Sequence, residues 1–143
     1  MTPPPRSLFL VEDNFDDETL AMRAISNSGV HCDVEVFRHG GEALAHLIAE
    51  GAPKPDLIVL DFHLPGLNGL EILRGLRKEE ATRRIPIVIL SNLESNEEVE
   101  ACLEEGATSC VQKPRDFQTY VDHVGLIVRY WLTVDRRPEL RNG

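Results

Sequence analysis

The sequence predicts an α/β fold in which five parallel strands form one sheet between layers of helices. Three observations lead to this fold class. Short apolar runs alternate with longer segments of helical periodicity, most of the runs are apolar at every position, and the alternation continues along almost the whole chain. Runs that are apolar throughout are typical of strands buried on both faces, and strands that alternate with helices form parallel sheets.

Five short apolar segments are predicted to be strands. Residues 57–60 are the most strand-like run, whereas residues 34–37 alternate with a polar position and therefore indicate a strand near the edge of the sheet. The predicted strands are Ser7–Val11, Val34–Phe37, Leu57–Leu60, Pro86–Leu90 and Ser109–Gln112.

Five further segments place apolar side chains on one face of a helix. Gly29 and Gly106 follow two of these segments and favour helix ends there, and Asp116 is a suitable cap for the last helix. The predicted helices are Phe15–Ser28, Gly41–Glu50, Leu70–Arg77, Glu97–Glu105 and a last helix that reaches from Asp116 to about Leu132.

Length and composition limit the class of protein. The 143 residues suffice for one domain, and we expect a flexible leader at residues 1–6, the domain at residues 7–132 and a polar tail at residues 133–143. The formal net charge of −9 would repel a phosphate backbone, which argues against nucleic-acid binding. Three cysteines without a CxxC pair, no signal sequence and no apolar run of membrane-spanning length indicate a cytoplasmic protein that is not bound to a membrane.

Polar side chains follow four of the five predicted strands. Glu12 and Asp13 follow the first strand, Asp61 the third, Ser91 the fourth and Lys113 the fifth. Because the carboxyl ends of parallel strands lie at the same edge of a sheet, we expect these side chains to converge in one crevice.

The chemistry of this set favours a magnesium-dependent phosphoryl transfer. Three adjacent carboxylates repel one another, and a hard divalent cation such as Mg²⁺ relieves that repulsion. Asp61 is then a candidate nucleophile, since carboxylates form aspartyl-phosphate intermediates. Lys113 can neutralise one phosphoryl oxygen and the Ser91 hydroxyl can donate to another, which are the positioning and charge effects that this reaction needs.

Each of these residues also has a purely structural interpretation. Asp61 could cap the following turn, Ser91 could cap a helix and Lys113 could be a solvated lysine. Taken singly, the structural interpretations are favoured. The ordered set at four strand ends instead favours the functional interpretation.

The ordered motifs resemble those of response-regulator receiver domains. They are Leu-Val-Glu-Asp-Asn at residues 10–14, Leu-Asp-Phe-His-Leu-Pro-Gly-Leu-Asn-Gly at 60–69, Leu-Ser-Asn at 90–92 and Lys-Pro at 113–114. The resemblance covers residues 8–132 and implies a flavodoxin-like sheet with the strand order 2-1-3-4-5. Weaker cues in residues 11–14, residues 113–117 and the aromatic-rich last helix resemble stand-alone response regulators of phytochrome-type sensor kinases.

The resemblance also implies a role for each site residue. Asp61 accepts a phosphoryl group from a phosphohistidine on a sensor histidine kinase, and Lys113 contacts that group. Asp13 and Asp61 bind Mg²⁺ by their side chains, Glu12 acts through a metal-bound water and His63 offers its backbone carbonyl. Phosphorylation draws Ser91 inward and remodels the face built by the fourth helix, fifth strand and fifth helix, and the bond before Pro114 is cis. Such a protein is a signalling switch that catalyses only its own phosphorylation and dephosphorylation.

The sequence departs from the family pattern at three positions. Cys110 stands where the family usually has an aromatic switch residue. A small thiol cannot report activation by swinging a ring between exposed and buried states, so we expect activation to reach the surface in a different way. Asn92 is larger than the small residue usual after Ser91, and it narrows access to the site. His63 lies two residues past Asp61, at a position that tunes hydrolysis in the family, and it is equally interpretable as a partly exposed loop residue.

The last helix carries more apolar surface than one buried stripe requires. Phe117, Val121, Val124, Val128 and Trp131 are predicted to face the core, and the remaining apolar side chains are Tyr120, Leu126, Ile127, Tyr130 and Leu132. Excess apolar surface marks interfaces, so we expect a homodimer or a kinase contact through this helix.

Three other classes are compatible with parts of the pattern. A phosphatase of the haloacid-dehalogenase type also uses an aspartyl phosphate, but it needs an aspartate where this chain has His63. A flavodoxin-like flavin binder needs a phosphate-binding loop after the first strand, where this chain has the acidic residues 12–17. A receiver-like module that binds partners without phosphorylation is the third alternative, and the intact acidic set argues against it.

Overall fold

The computed structural model describes residues 5–135 and contains one sheet of five parallel strands. The strands are β1 Arg6–Val11, β2 Cys32–Phe37, β3 Leu57–Leu60, β4 Ile87–Ser91 and β5 Ser109–Gln112. Their order across the sheet is β2-β1-β3-β4-β5. The fold class and the strand order expected from the sequence are both confirmed, and β2 is an edge strand as its alternating pattern indicated.

Helices connect the strands and end the described chain. They are α1 Phe15–Asn27, α2 Gly40–Ile48, α3 Gly69–Lys78, α4 Asn96–Glu104 and α5 Phe117–Arg129, which continues into a π-helical turn at Tyr130–Val134. Four of the helices begin at a polar cap that accepts a backbone N–H of the first turn, and the caps are Asn14, Asn68, Ser95 and Asp116. The expected cap at Asp116 is therefore confirmed.

The sheet separates two apolar cores. One core lies between the sheet and α2, α3 and α4, and the other lies between the sheet and α1 and α5. Neighbouring residues of a strand point to opposite faces, so Ile89 of β4 enters the first core while Val88 and Leu90 enter the second. This double covering explains why the central strands are apolar at every position.

The strand register aligns the carboxyl ends of the central strands. Val11 of β1 pairs with Leu60 of β3, and Leu60 pairs with Ile89 of β4. The residue after β3, Asp61, donates its backbone N–H to the Val11 carbonyl at 3.0 Å. Residues that directly follow these strands are therefore held side by side at one edge of the sheet.

The predicted division of the last helix between core and surface was partly wrong. Tyr120, Ile127 and Leu132 were expected on the remaining faces but are only 3%, 8% and 2% exposed, whereas Phe117 was expected in the core and is 45% exposed. The buried stripe runs through residues 120, 124, 127 and 128, which is a face rotated from the one chosen from the sequence. Several apolar positions of this helix fit either face, so spacing alone selected the wrong one.

Three further expectations concern the backbone and the chain ends. No described residue follows a cis peptide bond, so the cis bond expected before Pro114 is absent and this bond has the trans form that is favoured by roughly 0.5–1 kcal/mol. Residues 1–4 of the expected leader and residues 136–143 of the expected tail lie outside the described residues. Within the described part of the chain, none of the helices has the length and apolar composition needed to cross a membrane.

Candidate functional site

Three carboxylates meet at the carboxyl edge of the sheet. Glu12, Asp13 and Asp61 each offer an oxygen, and these oxygens lie within 4.8 Å of one another. Glu12 and Asp61 are buried, at 4% and 7% exposure, while Asp13 is exposed. Two of these oxygen donors are buried and the third is exposed to solvent. Such a set fits a hard divalent cation that keeps some of its waters.

The buried ammonium of Lys113 is the cation that this acidic group contacts directly. Its Nζ lies 2.8 Å from Oε1 of Glu12, 3.1 Å from Oδ2 of Asp61 and 2.7 Å from Oδ2 of Asp17. Burial alone would lower the pKa of Lys113, but the hydrogen bonds to Asp17 and Glu12 raise it above its ordinary value. Lys113 is therefore a permanent positive charge, and one such charge among these carboxylates leaves the site net negative.

Asp17 is a site residue that the sequence reasoning missed. It lies in the first turn of α1, where an acidic side chain is also favoured by the helix dipole, and this second role hides its contact with Lys113. The available signal was the acidic run at residues 12–17, in which Asp17 follows closely after the two carboxylates at the end of β1.

The two buried carboxylates differ in their affinity for a proton. Burial raises the pKa of Glu12 to about 7, an effect that its hydrogen bond with Lys113 opposes and that the charge of Asp61 reinforces. Burial also acts to raise the pKa of Asp61, but the Ser91 hydroxyl and the Lys113 charge outweigh it, so this pKa lies below its ordinary value. Near neutral pH, Asp61 is therefore ionised, as a nucleophile must be, while Glu12 is poised to gain or lose a proton.

Both oxygens of Asp61 accept hydrogen bonds. Oδ1 accepts from the Ser91 hydroxyl at 2.5 Å and from the His63 backbone N–H at 3.0 Å, and Oδ2 accepts from Lys113. The side chain of Ser91 is fully buried and already points inward in this structure. Asp61 is thus in hydrogen-bond contact with Ser91 and Lys113, and these three side chains converge at one edge of the sheet as predicted.

His63 connects the site to α4 through its side chain. Its Nε2 lies 3.0 Å from the Asn92 carbonyl oxygen and 3.7 Å from a carboxylate oxygen of Glu98, and the ring is partly exposed. The ring therefore extends away from Asp61 toward the loop after β4. The expected metal contact through the His63 backbone carbonyl remains a prediction.

Comparison with known proteins identifies the family. The family model for the response regulator receiver domain matches residues 8–125 of the chain. The chain belongs to the response regulator receiver domain family.

Similar receiver-domain proteins match this chain along nearly its whole length. It is 30% identical over 133 residues to response regulator Rcp1 of Synechocystis sp., with 90% of each chain covered. The crystal structure of the phosphorylated cyanobacterial phytochrome response regulator RcpA superimposes with a TM-score of 0.89 at 32% identity, covering 95% of this chain and 100% of that one. The Mn²⁺-bound form of Rcp1 superimposes with a TM-score of 0.87 at 29% identity, covering 94% and 100%.

A groove of the receiver domain opens beside Lys113. Its volume is about 700 Å³, and it lies between the loop after β4 and the loop after β5. The Leu93 backbone N–H donates to Oε1 of Gln112 at 3.1 Å and so ties the two loops together. The groove therefore lies between the segment that leads from β4 to α4 and the segment that leads from β5 to α5.

Proposed function

We propose that this receiver domain is a phosphorylation switch in which Asp61 accepts a phosphoryl group with the help of Mg²⁺. One observation carries the proposal. The ionised carboxylate of Asp61 lies with oxygens of Glu12 and Asp13, all within 4.8 Å of one another, and accepts hydrogen bonds from the Lys113 ammonium and the Ser91 hydroxyl. Family membership supports the same reaction, and the chain is proposed to act as a signalling protein that catalyses only its own phosphorylation and dephosphorylation.

The acidic cluster would hold the cation. Asp13 and Asp61 would bind Mg²⁺ by their side chains, Glu12 through a metal-bound water and His63 through its backbone carbonyl. When bound, Mg²⁺ offsets the negative charge that gathers on phosphoryl oxygens in the transition state. The oxygen-only donor set and the Mn²⁺-bound form of the similar protein Rcp1 both support a divalent cation here.

The protein groups divide the work of phosphoryl transfer. A carboxylate oxygen of Asp61 attacks phosphorus, the P–N bond of a phosphohistidine breaks, and the imidazole leaves with the electron pair of that bond. Lys113 then exchanges a contact with Asp61 for one with a phosphoryl oxygen, and the Ser91 hydroxyl donates to another. Since each already contacts Asp61, neither side chain has far to travel.

The structural effect of phosphorylation would be transmitted to the surface by the residues that contact the phosphoryl group. Ser91 ends β4 and Lys113 follows β5, so a change at either side chain displaces the loops that lead to α4 and α5. The face formed by α4, β5 and α5 is therefore the proposed switch surface. Tight packing makes such a face adopt discrete arrangements rather than deform continuously.

The proposed partner is a sensor histidine kinase, and the resemblance to RcpA and Rcp1 favours one of the phytochrome type. Residues 7–132 are proposed to form the receiver domain, acting in the cytoplasm without binding nucleic acid or a membrane. The formal net charge of −9 supports the absence of nucleic-acid binding.

We also propose a homodimer through the last helix. Several large apolar side chains of α5 and the turn that follows it are exposed to solvent, and they are Phe117, Leu126, Tyr130 and Val134. A second copy of the chain would cover these side chains and remove their apolar surface from water.

The decisive experiment is incubation of the protein with a small phosphodonor such as acetyl phosphate, with Mg²⁺ or with a chelator. We expect an acid-stable, base-labile mass increase of one phosphoryl group that requires Mg²⁺ and is lost in Asp61→Asn. Asp122→Asn, which alters an exposed aspartate of α5, is the matched control and should be phosphorylated normally. An adduct that persists in Asp61→Asn would remove Asp61 from its proposed role.

A further inference from the structure

All three N–H bonds of the Lys113 ammonium are engaged by carboxylates. An ammonium has three donors, and this one lies 2.7 Å from Oδ2 of Asp17, 2.8 Å from Oε1 of Glu12 and 3.1 Å from Oδ2 of Asp61. The lysine side chain is only 7% exposed. A phosphoryl oxygen can therefore accept a hydrogen bond from this ammonium only if one of the three carboxylates releases it.

The three carboxylates differ in how long they can keep this contact during the proposed reaction. Asp61 has the longest contact, and it loses its negative charge when one of its oxygens bonds to phosphorus. Glu12 belongs to the group of described residues whose oxygens could hold a cation, so a bound cation competes with Lys113 for it. Asp17 is outside that group, and neither event changes its charge. It is therefore the partner that can hold the ammonium throughout the transfer.

The position of Asp17 is fixed by α1 and α5. Its backbone N–H donates to Oδ1 of Asn14, the cap of α1, at 3.0 Å, and its backbone carbonyl oxygen lies 3.4 Å from the hydroxyl of Tyr120. Tyr120 is 3% exposed and packs in the core between the sheet and these two helices. The Asp17 side chain therefore approaches Lys113 from a helix, while the other two carboxylates approach it from the ends of strands.

We propose that Asp17 is a positioning residue for phosphoryl transfer, which holds the Lys113 ammonium in place while the other contacts of that ammonium change. This inference rests on the proposed function, in which Lys113 exchanges its contact with Asp61 for one with a phosphoryl oxygen. Asp17 also shares the positive charge of the ammonium, and so limits the extent to which that charge neutralises the attacking carboxylate. Asp17 acts on the reaction only through Lys113.

Loss of the Asp17 charge should affect the rate of transfer more than the binding of the phosphodonor. Without this partner the ammonium is drawn toward the strand ends, and a displacement of about 1 Å can lower a rate roughly 100-fold. The contact between Lys113 and the phosphoryl oxygen forms only as Asp61 releases the ammonium, so it contributes to the transition state. We expect Asp17→Asn to lower the maximum rate of phosphorylation roughly tenfold and to change the half-saturating phosphodonor concentration by less than about twofold.

The test follows formation of the phosphoryl adduct of the full chain by intact-mass spectrometry, at saturating Mg²⁺ and over a series of acetyl phosphate concentrations. Asp17→Asn keeps the shape of the side chain without its charge, whereas Asp17→Glu keeps the charge and should recover part of the maximum rate. Asp16→Asn is the matched control. Asp16 is an exposed acidic residue in the same turn of α1, and within residues 5–135 it forms no ion pair with Lys113. Its variant should react at the rate of the wild type.

Three results would overturn the role of Asp17. The first is a maximum rate in Asp17→Asn that equals or exceeds that of the wild type. The second is an equal loss of rate in Asp16→Asn, since that loss would arise from the charge at the start of α1 rather than from the contact with Lys113. The third is a loss that disappears when the Mg²⁺ concentration is raised further, which would make Asp17 a metal ligand. A wild type that forms no adduct would instead refute the proposed function, so the two failures are distinguishable.

Discussion

Replacement of Glu12 by glutamine should stabilise the metal-free protein at alkaline pH. Glu12 is 4% exposed, and burial raises its pKa from 4.5 to about 7. Between these two pH values the unfolded chain has lost the proton that the folded chain still holds. The free energy of unfolding therefore falls as the pH rises through this window, and the loss is complete above the folded-state pKa.

The size of the effect follows from the two pKa values. A change from 4.5 to about 7 corresponds to roughly 3 kcal/mol between the protonated and ionised forms of the folded protein. Glutamine at position 12 is neutral at every pH and its carbonyl oxygen can still accept a hydrogen bond from Lys113. We therefore expect Glu12→Gln to lie within about 1 kcal/mol of the wild type at pH 5 and to exceed its stability by roughly 3 kcal/mol at pH 8.

Urea unfolding at pH 5 and pH 8, with and without Mg²⁺, measures this difference. Saturating Mg²⁺ at pH 8 should stabilise the wild type more than the variant, because the cation relieves the charge that the variant lacks. The exposed glutamate variant Glu100→Gln is the control and should follow the wild type at both pH values. A Glu12→Gln variant whose stability differs from the wild type by the same amount at pH 5 and pH 8 would refute the reasoning.

Three further predictions follow from individual contacts. Lys113→Met should destabilise the metal-free protein by roughly 3–5 kcal/mol in urea unfolding, because it leaves buried carboxylates without their cation. Mg²⁺ should restore part of this stability, and a loss of stability that Mg²⁺ does not reduce would contradict the prediction. Arg77→Lys should lower stability by roughly 1–3 kcal/mol in thermal unfolding, because the guanidinium donates to several backbone carbonyls before β4 and β5 that an ammonium cannot reach together; an unchanged midpoint would show these bonds to be dispensable. Leu126→Gln should shift the protein to the monomer in sedimentation, while the exposed α4 variant Leu103→Gln should not; equal dissociation of both variants would argue against an interface on the last helix.

The sequence predicted the parts of the site that chain connectivity determines. Asp61, Ser91 and Lys113 each end or follow a predicted strand, and in a parallel sheet this alone brings them to one edge. The central strands were equally predictable from the sequence, because burial on both faces requires an apolar residue at every position. These predictions needed only the order of elements along the chain.

The features that were not predicted from the sequence depend on contacts between elements. Asp17 lies in a helix and reaches Lys113 only because α1 packs beside the site, and its position in the first helical turn gave it an alternative role. The face of α5 that is buried was also misassigned, since apolar residues occur on most of its faces. Phe117 is exposed and Tyr120 is buried, and the spacing of these residues alone does not distinguish the two arrangements.

The central claim is that acidic groups from separate strand ends hold one divalent cation beside the Asp61 oxygen that attacks phosphorus. A crystal structure grown with Mn²⁺ and beryllofluoride, a phosphoryl analogue, tests it most directly through the anomalous signal of the metal. We predict one metal peak in contact with Asp13 and Asp61, and beryllofluoride on Asp61 in contact with Lys113 and Ser91. A crystal at saturating Mn²⁺ with no peak between these carboxylates, or with beryllofluoride bound elsewhere, would contradict the account.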